Sequence, residues 1–228
     1  MARSRVFMIV GGAIAAVATA TALVRHRGQL LQPHHTAAGI TIGDVGRYDT
    51  MTRRLLGPLM AGIAHDVADL APSGSVVLDV GCGPGRLALR LAGEHDLRVT
   101  GVDLDPAMIA RAEVNAAEAG GSARPTFVVC DAVSLPFPDA SFDVVVSTFA
   151  VHHWPDVPAA MAEIRRVLRP GGRAVFWDLR QGALPFHGPA EVHGGVGSVS
   201  PEEGVTVTHW CWPWRLSLLD RIEIAVPG

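Results

Sequence analysis

The chain has 228 residues, 19 basic and 22 acidic, with a net charge of −3 and an isoelectric point near 6.3. That length suits one α/β domain with a sizeable core, and the charge balance excludes a global basic field for nucleic acid. Cys82, Cys130 and Cys211 are too widely spaced for a C-x-x-C metal clip or a disulfide framework, so no metal site is expected and a reducing compartment is compatible.

A hydrophobic fraction of 49% and a mean hydropathy of +0.28 are high for a soluble enzyme, and the excess lies at the start. Residues 6–24 are uncharged, with Arg3 and Arg5 before them and Arg25, His26 and Arg27 after. At about 1.5 Å per residue a helix of that length matches a bilayer core of about 30 Å. Gly11, Gly12, Thr19 and Thr21 leave it only marginally apolar, and residues 16–18 and 18–20 resemble small-residue cleavage sites. A membrane anchor is the favoured reading of residues 1–27; a cleaved signal and a soluble helix stay open beside it. Residues 28–46, with Pro33, His34 and His35 and no clear periodicity, read as a linker, and no carboxylate or cysteine stands beside the two histidines at metal-ligand spacing.

From residue 50 to 70, Leu55, Leu59, Ile63 and Val67 recur at four-residue steps and predict a helix, with Pro58 as a kink site. The apolar run 76–80 then reads as a buried strand that ends in Gly81-Cys82-Gly83-Pro84-Gly85. Glycine is needed where the backbone takes positive φ or a ligand comes close, and such a turn before a helix aims free N–H groups at polar ligand atoms. Leu87 and Leu91, one turn apart, mark that helix. A second strand, 97–102, ends at Asp103, where a carboxylate can accept from both hydroxyls of a ribose. Asp105 before Pro106 reads as the N-cap of the next helix, which runs into a loop by residue 123.

Strands are expected at 126–131 and 142–149, the first ending at Asp131, an acid that also suits a plain turn. The loop 150–156 holds His152 and His153, either of which could act as a base near neutral pH, although a structural role fits at least one of them. Residues 169–172 read as a turn and 173–178 as the next strand. The tail from 181 to 204 is rich in glycine, proline and histidine, and the last two strands are expected at 205–210 and 215–226, with Trp210, Trp212 and Trp214 around the turn between them. Those tryptophans read as a hairpin core or as an apolar platform for a lipid-like substrate or the membrane interface.

The motifs VLDVGCGPG (77–85), GVDLDPAMIARA (101–112), CDAVSLPFPDASFDVVVSTFAVHHW (130–154) and EIRRVLRPGGRAVFWD (163–178) together resemble class I S-adenosylmethionine-dependent methyltransferases, in order and at that family's spacing. The resemblance covers residues 48–180 in detail. It implies a Rossmann-like, doubly wound, mostly parallel seven-stranded α/β sheet, here preceded by the N-terminal hydrophobic helix. The domain would span residues 47–228, with a cofactor half at 47–180 and a substrate-side tail at 181–228. It implies that Asp79, Gly81, Cys82, Gly83 and Gly85 lie near the methionyl part of S-adenosyl-L-methionine, that Asp103 with Leu104 holds the ribose, that Asp131 and Ala132 contact the adenine, and that Tyr48 covers the cofactor.

Arg86 stands where a dinucleotide-binding G-x-G-x-x-G turn has its third glycine, which argues against an NAD(P)-dependent oxidoreductase. The Asn/Asp-Pro-Pro-aromatic signature of many nucleic-acid amino-methyltransferases is missing, so no nucleic-acid partner is expected. The expected activity is methyl transfer to a small hydrophobic or lipid-like acceptor, with a non-catalytic membrane-tethered scaffold as the alternative. Because the implied cofactor is made in the cytosol, the expected location is the membrane, single-pass, with the catalytic domain on the cytoplasmic side. Arg47, Arg53 and Arg54 tilt the charge bias the same way.

Overall fold

The computed structural model describes residues 33–36, 39–42, 44–121, 124–179, 205–210 and 219–227. A two-stranded antiparallel hairpin, β1 (Pro33–Thr36) and β2 (Gly39–Ile42), comes first. It lies inside the stretch read as a linker from sequence. Helix α1 (Val45–Leu70) follows and begins five residues earlier than the leucine periodicity suggests, because the Asp44 side chain caps it by accepting from the Arg47 N–H at 2.9 Å. The helix runs through Pro58.

The remaining order is β3 (Val76–Val80), α2 (Arg86–His95), β4 (Arg98–Asp103), α3 (Pro106–Ala119), β5 (Thr126–Val129), β6 (Phe142–Thr148), a single 3₁₀ turn (Val151–His153), α4 (Val157–Val167), β7 (Leu168–Leu179), β8 (Val205–Trp210) and β9 (Leu219–Ala225). Asp105 caps α3 by accepting from the Ala107 N–H at 2.8 Å, and Asp156 caps α4 through the Ala159 N–H at 2.9 Å. Pro106 and Pro158 sit in the first turns, where a missing N–H costs nothing.

These strands form one seven-stranded sheet in the order β5-β4-β3-β6-β7-β9-β8, with β5 to β7 mutually parallel and β9 antiparallel to both its neighbours. Alternation along the central strands builds a core on each face. Val145, Ala174 and Phe176 turn to α4, where Ala160, Met161 and Ile164 meet them. Val144, Val146, Val175 and Trp177 turn to α1 and α2, against Ile63, Val67, Leu87 and Leu91. Each such side chain contributes about 1.5–3 kcal/mol by leaving water. A change such as Leu91→Ala, at a site with no exposure, is expected to cost about 2–5 kcal/mol.

The turn expected at 169–172 is part of the β7 run as an irregularity: between the pairs Phe142↔Leu168 and Val144↔Arg173 the strand spends extra residues, with Gly171 at φ 77°. No helix among the described residues is long and apolar enough to cross a membrane. Residues 6–24, read as the anchor, lie outside the described residues, as do residues 211–218 with Trp212 and Trp214, and the whole tail 181–204.

The sheet order places the site. Chain connections run outward from β3 in one direction through β4 and β5, and in the other through β6 and β7. At such a switch point the loops leaving adjacent strands diverge, and a crevice opens at their carboxyl ends.

Candidate cofactor crevice

The crevice lies where that topology puts it. Val80, Gly81 and Gly83 line it from the end of β3, Val102 to Asp105 from the end of β4, and Thr148, Phe149 and Ala150 from the end of β6. Tyr48 from α1 and Met108 from α3 complete one side, while Cys130, Asp131, Ala132, His153, Trp154 and Pro155 complete the rest. Three carboxylates, Asp103, Asp105 and Asp131, are among these lining residues, and neither an arginine nor a lysine is.

Asp103 is held by the backbone on both sides. Its Oδ2 accepts from the Gly83 N–H at 2.8 Å and its Oδ1 from the Asp105 N–H at 3.0 Å, which leaves further lone pairs on both oxygens for ligand hydroxyls. Burial nonetheless raises its carboxyl above the ordinary range, against the pull of those amides. Tyr48 is raised as well, by burial first and then by the charge of Asp103. Asp131 accepts from the Val133 N–H at 3.1 Å, so the turn-forming reading and the crevice-lining reading are both true of it.

Asp79 does not line the crevice. It is fully buried behind the glycine turn, and neither carboxylate oxygen has a hydrogen-bond partner. Burial pushes its carboxyl up to about 7, the charge of Asp103 adds to that, and the Ala88 amide offsets a little without closing a full hydrogen bond. An orphaned, buried acid beside a crevice is a group waiting for a positive charge. Cys82 and Gly85 also lie outside the lining. Burial holds the Cys82 thiol well up and that of Cys130 at about 11, so neither is a thiolate near neutral pH.

The glycines are required by contact as well as by φ. Gly81 has φ 71° and faces Ala150, whereas Gly85 at φ 75° packs under Phe127, whose ring atom would lie 2.7 Å from an added Cβ. Gly83, at φ 52°, has open space where its Cβ would be. Position 83 therefore leaves room for a ligand to approach the backbone.

The two histidines separate. His152 is buried and does not line the crevice: its backbone N–H donates to Asp178 Oδ2 at 3.0 Å and its Nδ1 lies 2.5 Å from Asp178 Oδ1. His153 is exposed, lines the crevice, and lies against the His152 ring with centroids 3.8 Å apart. Only His153 is placed to meet a ligand. Beside it Trp154 is buried edge-on to Phe176, with centroids 6.3 Å apart, and presents an apolar wall.

Several lining residues carry no signal in sequence spacing. Asp105 is legible only as a cap, and Thr148 and Phe149 only as the end of a strand. Asp49, fully buried beside Tyr48, has no signal of its own. The hint is the arginine at position 86, which is its partner: Arg86 Nε and Nη2 donate to Asp49 at 2.6 and 2.7 Å.

S-adenosyl-L-methionine, the cofactor implied by the resemblance, carries a cationic sulfonium, a ribose and an adenine, and these residues fit it. Asp103 offers free acceptors for the ribose, Gly83 leaves room for close approach, and the acidic lining with orphaned Asp79 favours a cation. The same lining disfavours the pyrophosphate of a dinucleotide.

Comparison with known proteins agrees. Residues 78–176 match the family described as methyltransferase domain. The chain is 42% identical over 106 residues to 27-O-demethylrifamycin SV methyltransferase of Amycolatopsis mediterranei, covering 46% of this chain and 39% of that protein. It is 38% identical over 149 residues to the ubiquinone/menaquinone biosynthesis C-methyltransferase of Paracoccus denitrificans, covering 61% and 57%. The chain thus spans roughly half the length of such relatives or less. Its fold is shared with an S-adenosylmethionine-dependent methyltransferase from Aquifex aeolicus, with a TM-score of 0.62, 20% identity, and coverage of 80% of this chain and 98% of that one.

Proposed function

We propose that the chain, whose residues 78–176 match the methyltransferase domain family, is a class I S-adenosylmethionine-dependent methyltransferase that transfers the cofactor's methyl group to a small, hydrophobic acceptor. The carrying observation is the acidic crevice at the switch point, in which Asp103 is pre-oriented by two backbone amides, with Asp79 buried behind the glycine turn and without a hydrogen-bond partner.

The bound cofactor supplies a methyl group already activated for displacement, so the protein needs neither a metal nor a covalent nucleophile. What the chain does is hold and align. Asp103 accepts the ribose hydroxyls, Asp131 and Ala132 flank the adenine, and Tyr48 covers the crevice from α1. On the acceptor side, Phe149, Ala150, Trp154 and Pro155 exclude water, and an imidazole nitrogen of His153 takes the proton that the acceptor's hydroxyl or acidic carbon gives up.

Support for an apolar acceptor comes from that wall and from the relatives, whose names place them on a rifamycin and in ubiquinone/menaquinone biosynthesis. The uncharged stretch at residues 6–24 would hold the catalytic domain at the cytoplasmic face of a membrane, where such acceptors partition. Incubation with methyl-labelled cofactor and a panel of quinols, phenolic polyketides and lipid extracts tests this. Label in the apolar fraction, and loss of membrane sedimentation when residues 1–27 are removed, are expected. Equal labelling of water-soluble acceptors contradicts the acceptor class, and cofactor binding with no transfer to any fraction favours the scaffold.

A further inference from the structure

Asp49 follows Tyr48 in the first turns of α1 and is fully buried, yet it lines no part of the crevice. Besides its two contacts from Arg86, its Oδ2 accepts from Arg111 Nε at 2.8 Å and from Asn115 Nδ2 at 3.3 Å. Asn115 Nδ2 also donates to the Pro84 carbonyl oxygen at 2.9 Å, and Asn115 Oδ1 accepts from Arg86 Nη2 at 3.2 Å. One carboxylate on α1 thus receives donors from α2 and from α3, and the network closes back onto the glycine turn.

Burial alone would push the Asp49 carboxyl up, but Arg86 and Arg111, with Asn115, outweigh it and hold the group below its usual range. A buried ionic knot is weak evidence for stability, because well-packed apolar residues of the same volume often do as well. What apolar packing does not supply is register: a guanidinium fork bound to both oxygens of a carboxylate fixes direction as well as distance. The segments joined here are those that carry the crevice: α1 brings Tyr48, the turn brings Gly81 and Gly83, and α3 grows from the loop Asp103 to Asp105.

We propose that Asp49 is a positioning residue for cofactor binding, which pins the first turns of α1 to the glycine turn and to α3 so that Tyr48 stays over the crevice beside Asp103. The assignment rests on the methyltransferase reading for the identity of the ligand. It makes the N-terminal helix a part of the binding site through a contact that no ligand touches.

Arg111→Ala is the informative variant, since it leaves the Arg86 fork on Asp49 intact. Arg221→Ala is the control: that residue bonds Asp66 and Glu223 at 2.8 Å each, away from the crevice, so its loss lowers stability without touching the knot. Titration with S-adenosylhomocysteine is expected to show Kd raised about fivefold or more in Arg111→Ala and within about twofold of wild type in Arg221→Ala. Arg111→Lys should restore most of the affinity, hydrogen exchange should accelerate in residues 45–52 of Arg111→Ala, and Tyr48→Ala should weaken the wild type far more than it weakens Arg111→Ala. Kd values that merely track melting temperature across both arginine variants overturn the assignment, as do independent effects of Tyr48→Ala and Arg111→Ala. Unchanged exchange in residues 45–52 also overturns it, whereas a folded wild type that binds no S-adenosylhomocysteine overturns the cofactor reading itself.

Discussion

Gly81 and Ala150 meet with no room between them: a Cβ placed on Gly81 would overlap the Cβ of Ala150. The end of β3 and the loop after β6, the two sides of the switch point, therefore touch only because position 81 has no side chain.

Gly81→Ala is accordingly expected to lose about 1–3 kcal/mol of stability, from the overlap and from the positive φ together. Affinity for S-adenosylhomocysteine should fall with it, since the displaced loop carries Phe149 and His153. Adding Ala150→Gly relieves the overlap but not the φ, so the double variant should recover part of both losses. Thermal melts and titrations of the two variants check this, and a Gly81→Ala protein with unchanged affinity contradicts it.

Asp79 gives the unliganded protein a definite pH dependence. Its carboxyl titrates at about 7 when folded against an ordinary value of 3.8. Between those values the folded chain keeps a proton that the unfolded chain has lost. The stability this acid contributes is therefore present at low pH and falls as pH rises from 3.8 to about 7, by at most about 1.4 kcal/mol per unit. A cation bound in the crevice favours the ionised form, so S-adenosylmethionine binding at pH near 6 should release protons. Calorimetry in two buffers of different ionisation heat measures the release, and Asp79→Asn should abolish it.

The histidines should divide in function as they divide in space. His153→Ala is expected to lower kcat about 10²–10⁴-fold, the usual range for a general base, with little change in melting temperature. His152→Ala keeps the backbone N–H bond to buried Asp178 but removes the ring nitrogen's contact with it, and should cost about 1–3 kcal/mol of stability. Paired melts and single-turnover rates decide between the two, and equal effects of both substitutions on stability, with neither acting on rate, would return His153 to a structural role.

Much of this arrangement was legible in the chain. Strand-glycine-helix punctuation locates β3 and α2, and the acids at or just after the ends of β4 and β5 locate Asp103 and Asp131 in the crevice, because both signals act over a few residues, whereas Asp79 lies behind the lining. The start of α1 was not legible from apolar spacing, since Val45 to Thr50 are set by the Asp44 cap and by the Asp49 knot, whose partners lie 37 and 62 residues away. Nor could the sequence separate His152 from His153. Their difference comes from Asp178, which arrives from β7 and bonds both the backbone N–H and the ring of His152.

The most direct test is titration of the full chain with S-adenosylmethionine, beside NAD and beside an Asp103→Ala variant. Removing a carboxylate that anchors Gly83 and Asp105, and that is proposed to accept the ribose hydroxyls, should weaken binding about 10-fold or more. The account predicts binding of S-adenosylmethionine by the wild type, strong loss in the variant, and no binding of NAD. A folded wild type that binds NAD, or neither ligand, contradicts it.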